Sequence, residues 1–561
     1  MLLTNDELKT ILTQNKILDE KKFEDLIRFS RNTNATLVDA LVEKEIITDD
    51  ALGQLIASFL RLPFINLSKL SIPEDALTII PENVARKQKV IIFAKDDNGI
   101  KLAMADPRNT EIQQMIAKKT EQNVFVYYST ERDIYNTLRI YRRDFQKTFD
   151  RLLKEESGIL DAQTLEHAPV AKIVDLIIDY AYQDKSSDIH IEPQEKNSLI
   201  RFRIDGILHD IAYVPKALHD QIITRIKVLS RLRTDEHLAP QDGKMHMQLE
   251  EEDLDIRVSI IPVVEGEKTV LRLLASRFRQ FSLLNLGMTE MDLHKMVRAY
   301  SKSYGMILST GPTGSGKTTS IYAILKILNS REKNITTIED PVEYRIKGVN
   351  QIHVNTKTDL TFASGLRSIL RQDPNIVFVG EIRDSETAGI AVNAALTGHL
   401  VLSTLHTNDA ATALPRLTDM KVEPFLVAST VNVIVAQRLI RKICDFCKTQ
   451  YTIATVELEK NIPKEMLVKH FGNQEVTSVY KGAGCKSCHF TGYAQRIGIF
   501  EVLEVTKDIR KLIVAKNDSD VIAKAAALEG MTTMFDDGLQ KVARGITTLE
   551  EVLRVTKVES L

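Results

Sequence analysis

One stretch constrains this chain more than any other: Gly311, Pro312, Thr313, Gly314, Ser315, Gly316, Lys317, Thr318 and Thr319. It follows the apolar run Met306 to Thr310 and precedes the helical pattern from Ser320 to Leu328, so a GxxxxGK[ST] loop joins a strand to a helix. In that setting the glycines let backbone N–H groups face phosphate oxygens. Lys317 reaches the β and γ phosphates, Thr318 offers its hydroxyl to magnesium, and the helix adds its positive end. A strand–loop–helix unit of this kind belongs to a parallel α/β sheet, and strands and helices alternate as that requires over 281–440.

Such a sheet needs further strands that end on polar groups at the same edge. Ile376 to Val379 is an apolar run leading through Gly380 to Glu381, a carboxylate placed to hold magnesium. Ile335 to Ile338 runs into Glu339, Asp340, Pro341, Val342 and Glu343, which crowds three carboxylates where a general base is needed. His399 and His406 flank a third apolar run, and either can donate a hydrogen bond to a γ phosphate; a lone histidine is more often structural.

All four cysteines form two CxxC pairs, Cys444 with Cys447 and Cys485 with Cys488, the arrangement that holds zinc tetrahedrally through four thiolates. The 37 residues between the pairs (448 to 484) exceed the usual ribbon spacing, so the insertion has to close back on itself. A redox pair is the alternative.

The ordered set GPTGSGKTT, TTIEDPVEY, LRQDPNIVFVGEIRD and TGHLVLSTLHT, together with SSDIHIEP, RFRIDG and the late cysteines, resembles the secretion ATPases of type II secretion and type IV pilus systems. The resemblance implies a RecA-like P-loop NTPase domain preceded by a PAS-like α+β domain, with a helical and α+β N-terminal region. It implies ATP and Mg2+ at the loop, Glu381 at the metal, Glu343 as general base with Glu339 as runner-up, and His399 and His406 as the His-box pair. Arg201, Arg203, Arg225, Arg367 and Arg371 match the arginines that line the nucleotide site in that family, some offered across a subunit or domain boundary; each alone can also be a surface ion pair. Zn2+ at the cysteines is implied as well.

The long N-terminal extension and the cysteines set this chain apart from the retraction branch. The expected function is pilus extension by a homohexamer that moves a polytopic inner-membrane platform protein, with the type II secretion (pseudopilus) ATPase as the alternative. From another class, a nucleic-acid translocase or helicase-like motor would need a basic, aromatic-rich channel. Balanced charge (74 Lys and Arg against 76 Asp and Glu) and 6% aromatics advertise none, so no nucleic-acid partner is expected. The N-terminus lacks signal-peptide features and no apolar run is long enough to span a bilayer, which predicts a cytoplasmic protein held peripherally at the inner membrane through its partner.

With 561 residues, several domains are expected. Leu8, Leu12, Ile17, Phe23, Leu26 and Ile27 recur after a shift of 29 as Leu37, Leu41, Ile46, Leu52, Leu55 and Ile56, predicting a duplicated helical hairpin over 1–60. A small α+β module (61–131), a helical linker (132–165), the arginine-bearing α+β domain (166–280), the ATPase core (281–440), the tetracysteine element (441–490) and a helical subdomain (491–561) follow. In part of the resembled family the N-terminal repeat binds cyclic di-GMP through an arginine- and glycine-containing segment. The equivalent stretch here, Asn32 to Val38, has neither residue, which favours a docking module for other pilus components.

Overall fold

The computed structural model describes residues 3–556 apart from 16, 19–22, 25, 28–35, 39–40, 42–45, 68–69, 71, 78, 97, 139–144, 158–168, 250–252, 275–281 and 486–487. The chain divides into two compact units, Met1–Arg279 and Gln280–Leu561.

The first unit begins with helical structure that includes Asn5–Gln14 and Asp49–Leu60. All twelve positions of the 29-residue repeat converge on a single apolar cluster, in which Leu12 and Leu41 are fully buried at equivalent places. Of the stretch Asn32 to Val38, which is equivalent to the ligand motif of the resembled family, residues 32–35 lie outside the described residues. A three-stranded sheet follows, made of β1 (Val90–Asp96), β2 (Gly99–Met104) and β3 (Val124–Tyr128), with β1 antiparallel and β3 parallel to the central β2.

The third body of that unit is a six-stranded antiparallel sheet. It comprises β4 (Asp188–Pro193), β5 (Asn197–Ile204), β6 (Ile207–Pro215), β7 (Gln241–Gln248), β8 (Asp253–Val263) and β9 (Gly266–Leu274), in the order β6-β5-β4-β9-β8-β7. Helices Val170–Gln183 and Lys216–Leu229 bury Ile173, Ile177, Ile222 and Ile226 against Ile189, Ile200 and Phe202. The stretch 132–165 was expected to be a linker, but its helix Phe145–Ser157 packs Phe145 and Phe149 into this core. Phe145 meets Tyr180 edge-on at 5.1 Å between ring centroids. Charged residues around those aromatics, Asp144, Lys147, Asp150 and Arg151, hide the apolar stripe from a reading of composition.

The second unit is built on a seven-stranded sheet. Its strands are β10 (Gly305–Thr310), β11 (Ile335–Glu339), β12 (Asn350–His353), β13 (Ile376–Val379), β14 (Leu400–Leu405), β15 (Val431–Ile443) and, after the hairpin β16 (Lys448–Ala454) and β17 (Val476–Gly482), β18 (Tyr493–Glu504). The order is β12-β11-β13-β14-β10-β15-β18, with every neighbour parallel except β18. Successive residues alternate between two cores: Met306, Leu308, Val401 and Ile434 enter one, Ile307, Leu400, Leu402 and Val433 the other. Both faces are therefore covered, the doubly wound arrangement the phosphate loop requires.

The region 491–561 was read as helical; its first part is instead the antiparallel edge strand β18, followed by helices such as Met534–Ala543. Burial on both faces lets β18 run from Gly498 to Leu503 without polar alternation, so a period-two pattern is missing.

Because Leu12 and Leu41 are both fully buried in one cluster, Leu12→Ala and Leu41→Ala should each destabilise the N-terminal body by about 2–5 kcal/mol. Val38→Ala, at a position 36% exposed, should stay within about 0.5 kcal/mol. Hydrogen exchange of helix Asn5–Gln14 in the full chain measures both.

Candidate active site

Four strand ends meet at one edge of the seven-stranded sheet because the parallel ladder puts them there. Thr310, last in β10, pairs with Leu405, last in β14, while β13 ends at Val379 beside Ser403 and Ile338 of β11. The phosphate loop, Glu381, His406 and the 339–343 loop all leave from this edge.

Gly311 and Gly316 sit at φ +143° and +91°, where side-chain-bearing residues are strained, and a Cβ on Gly311 would fall 2.5 Å from the Gln437 carbonyl oxygen. Only glycine lets the loop pass that close. Gly316 caps the helix Lys317–Leu328, whose first N–H groups therefore open toward the loop. Lys317 Nζ donates to the carbonyls of Gly311 (2.7 Å) and Pro312 (3.2 Å). Burial pulls its ammonium below the ordinary value, and the negative charge of Glu381 partly offsets this. Thr313 and Gly314 are exposed at the loop tip, Thr318 and Thr319 are half-buried, and Ser315 Oγ is buried without a protein partner. The glycine cradle, the lysine and that orphaned hydroxyl fit a polyphosphate.

Glu381 is largely buried, forms an ion pair with Arg383 at 2.6 Å and lies 3.2 Å from His406 Nε2 in a hydrogen bond. Arg383 was not singled out by sequence reasoning, although it lies in the same VGEIRD stretch. Thr407, next to His406, exchanges hydrogen bonds with Thr310: its N–H donates to Thr310 Oγ1 at 2.8 Å and the two hydroxyls lie 2.7 Å apart.

The two glutamates of the acidic loop are sorted by burial. Glu339, 2% exposed, accepts from Thr337 Oγ1 at 2.5 Å, from Gln351 Nε2 at 3.3 Å and from the Tyr322 hydroxyl. Burial raises its carboxyl above the usual range despite those bonds. Glu343 is half-buried, and its backbone N–H donates to the same Tyr322 hydroxyl at 3.3 Å. Tyr322, five residues after Lys317, thus ties the loop helix to the acidic loop; no motif in the sequence marked it.

His399 precedes β14 at the opposite edge of the sheet, with its Nδ1 3.0 Å from the Ala394 carbonyl. Six strand residues, about 20 Å, separate it from the end that carries His406, so the fold does not bring it to the cluster. Arg367 forms an exposed ion pair with Glu386, and Arg371 donates to Ser368 Oγ (3.1 Å) and to the Arg367 carbonyl (3.1 Å). Arg201, Arg203 and Arg225 belong to the first unit. There Arg201 grips Glu192 with bonds of 2.7 and 2.6 Å, Arg203 lies 3.5 Å from Asp188 and donates to Gly206 O at 3.1 Å, and Arg225 acts on Asp175.

The cysteine sulfurs all lie within 4.8 Å of one another, with separations of 3.9 Å (Cys444–Cys485), 3.8 Å (Cys447–Cys488) and 3.7 Å (Cys485–Cys488). A tetrahedral ion with metal–sulfur bonds of about 2.3 Å needs edges of about 3.8 Å. The pairing of β16 with β17, from Lys448↔Gly482 to Ala454↔Val476, closes the long insertion and returns the second CxxC to the first. Burial pushes the Cys447 thiol up to about 11, while Cys488, despite its burial, is drawn below the ordinary thiol value by the backbone N–H groups of Cys485 and Gly492.

Residues 163–554 match the family described as Type II/IV secretion system protein, and residues 60–147 match the MshEN domain. The type IV pilus assembly ATPase PilB of Myxococcus xanthus is 34% identical over 97% of this chain and 98% of its own length. The type II secretion system protein E of Pectobacterium carotovorum is 40% identical over 86% of this chain and 97% of its own. The Legionella pneumophila ATPase DotB, 19% identical with a TM-score of 0.51 over 68% of this chain and 95% of that one, shares the RecA-like fold. A phosphate loop in such a sheet, within a family match that spans most of the sequence, makes the chain a P-loop ATPase belonging to the type II/IV secretion system protein family.

Proposed function

We propose that this ATPase drives assembly of a type IV pilus, working as a homohexamer on a polytopic inner-membrane platform protein. The observation that carries the choice over type II secretion is coverage: likeness to the Myxococcus pilus ATPase extends over 97% of this chain, whereas likeness to the Pectobacterium secretion protein extends over 86%. Among the described residues no helix is long and apolar enough to cross a membrane. Attachment to the inner membrane from the cytoplasm then rests on the platform protein. The N-terminal region is proposed to dock other pilus components, not cyclic di-GMP; a saturable calorimetric signal with that dinucleotide reverses this point.

In the proposed reaction the loop N–H groups and Lys317 bind the β and γ phosphates. Thr318 and Glu381 would hold Mg2+, which neutralises phosphate charge when bound. Glu343 serves as the base that orders the attacking water, because Glu339 is committed to Tyr322, Thr337 and Gln351 and its burial disfavours the anion a base requires. His406 steadies Glu381. Arg201, Arg203 and Arg225 are proposed to act toward a nucleotide only on assembly of the ring. The four cysteines hold Zn2+ in a closed, structural site.

The biological assignment is tested by replacing the gene with one encoding Lys317→Ala: surface pili disappear and protein secretion to the medium continues. The reverse pattern assigns the chain to type II secretion.

For the base, Glu343→Gln should lower kcat by about 10²–10⁴-fold while nucleotide binding persists. Glu339→Gln should instead keep turnover within about tenfold and lower the melting temperature. Equal kcat losses in the two variants remove the distinction.

Metal analysis should return one zinc per chain, and Cys485→Ser should lose it. Because metal binding free energy is folding free energy, proteolysis within 444–492 should then rise.

A further inference from the structure

We infer that Gln437 is a positioning residue for the phosphate loop, one that sets the direction of the Gly316 N–H toward bound phosphate; the inference rests on the ATPase reading of that loop. Gln437 lies on β15, one residue beyond Ala436, which pairs with the last residue of β10. Its side chain is 2% exposed. Nε2 donates to the Ser315 carbonyl at 2.8 Å, and Oε1 lies 3.5 Å from Ser309 Oγ, which donates to it. These two partners fix the orientation of the amide, since a flip would set Oε1 against the Ser315 oxygen.

The consequence follows from peptide geometry. In a trans peptide the carbonyl of one residue and the N–H of the next point to opposite sides. Holding the Ser315 carbonyl down on β15 therefore turns the Gly316 N–H away from the sheet strand, to the side where the following helix opens its own N–H groups. With φ of +91° at Gly316 the peptide has rotational alternatives open to it, and the Gln437 amide selects among them. The loop is also packed onto this residue: Cβ atoms on Gly311 and Gly316 would fall 2.5 Å from the Gln437 carbonyl oxygen and 3.1 Å from Nε2. Gln437 touches no substrate in this scheme and acts through the Ser315–Gly316 peptide.

The test uses Mg-ADP binding by calorimetry and steady-state ATP kinetics on the full chain. Gln437→Met keeps the volume and removes the donor; Gln437→Glu keeps the shape and turns an acceptor toward the Ser315 carbonyl. Gln437→Met is expected to weaken Mg-ADP and raise KM for ATP about tenfold, with kcat at saturation within about threefold, because the cradle serves ground and transition states alike. Gln437→Glu weakens binding further, and both variants keep the nucleotide-free melting temperature within a few degrees.

Binding by Gln437→Met within twofold of the unmodified chain overturns the inference, as does a fall in kcat that matches the rise in KM. Failure of both variants to fold assigns Gln437 to core packing and overturns it too. If the unmodified chain itself fails to bind Mg-ADP, it is the ATPase reading that falls.

Discussion

The site depends on the immobility of β10. Each of its six residues is buried, and it is hydrogen-bonded on both edges, to β14 from Gly305↔Leu400 to Thr310↔Leu405 and to β15 as far as Thr310↔Ala436. A strand held on two sides cannot slip by one residue without turning every side chain to the wrong core. The phosphate loop therefore starts at a fixed height, and the ladder sets it beside the ends of β13 and β14. Glu381 and His406 are placed by strand register before any loop contact is made. The paired hydroxyls of Thr310 and Thr407 then join the start of the phosphate loop to the loop after β14.

Within that frame, electrostatics divides labour between chemically identical groups. Glu339 and Glu343 are four residues apart, yet one is enclosed by Thr337, Gln351 and Tyr322 and the other is partly open to solvent. An enclosed carboxylate with several donors is a structural joint, because moving or protonating it disturbs every partner. Here the joint unites the loop helix, β11 and β12. Glu381 differs again: Arg383 and His406 surround it with donors, and its charge in turn eases the burial of Lys317.

The sequence made legible what is local. Walker-type spacing, apolar runs ending on carboxylates and the 29-residue repeat each lie within one element or two adjacent ones, and each strand so read, β10, β11 and β13, is present. The parts that escaped are decided by distant pairing. β18 is a strand because β15 offers it an edge, and nothing in its own alternation says so. His399 and His406 look equivalent in TGHLVLSTLHT until the strand between them is given a direction. Gln437 lies 120 residues beyond Lys317, and its meaning appears only when β15 is laid beside β10. Phe145 and Phe149 were hidden by the charged residues around them.

The same strand connects the nucleotide loop to the cysteines. β15 carries Gln437 under the phosphate loop and ends at Ile443, immediately before Cys444, about 23 Å along an extended chain. At that far end Ile443 pairs with Tyr493 of β18, the Cys444 N–H donates to the Gly492 carbonyl at 2.9 Å, and the Cys488 sulfur accepts from the Gly492 N–H at 3.3 Å. A metal held by the four sulfurs would thus clamp the start of β18 to the end of β15, where the register already shifts between Arg441 and Ile443. An edge strand joined only by its ladder can fray from such an irregular end. Clamping it there preserves the β15–β18 pairing up to Gln437↔Phe500, the pair directly behind the phosphate loop. A closed structural metal at these cysteines, as proposed, would therefore have a physical use at the nucleotide loop: it would hold taut the strand against which the loop is set.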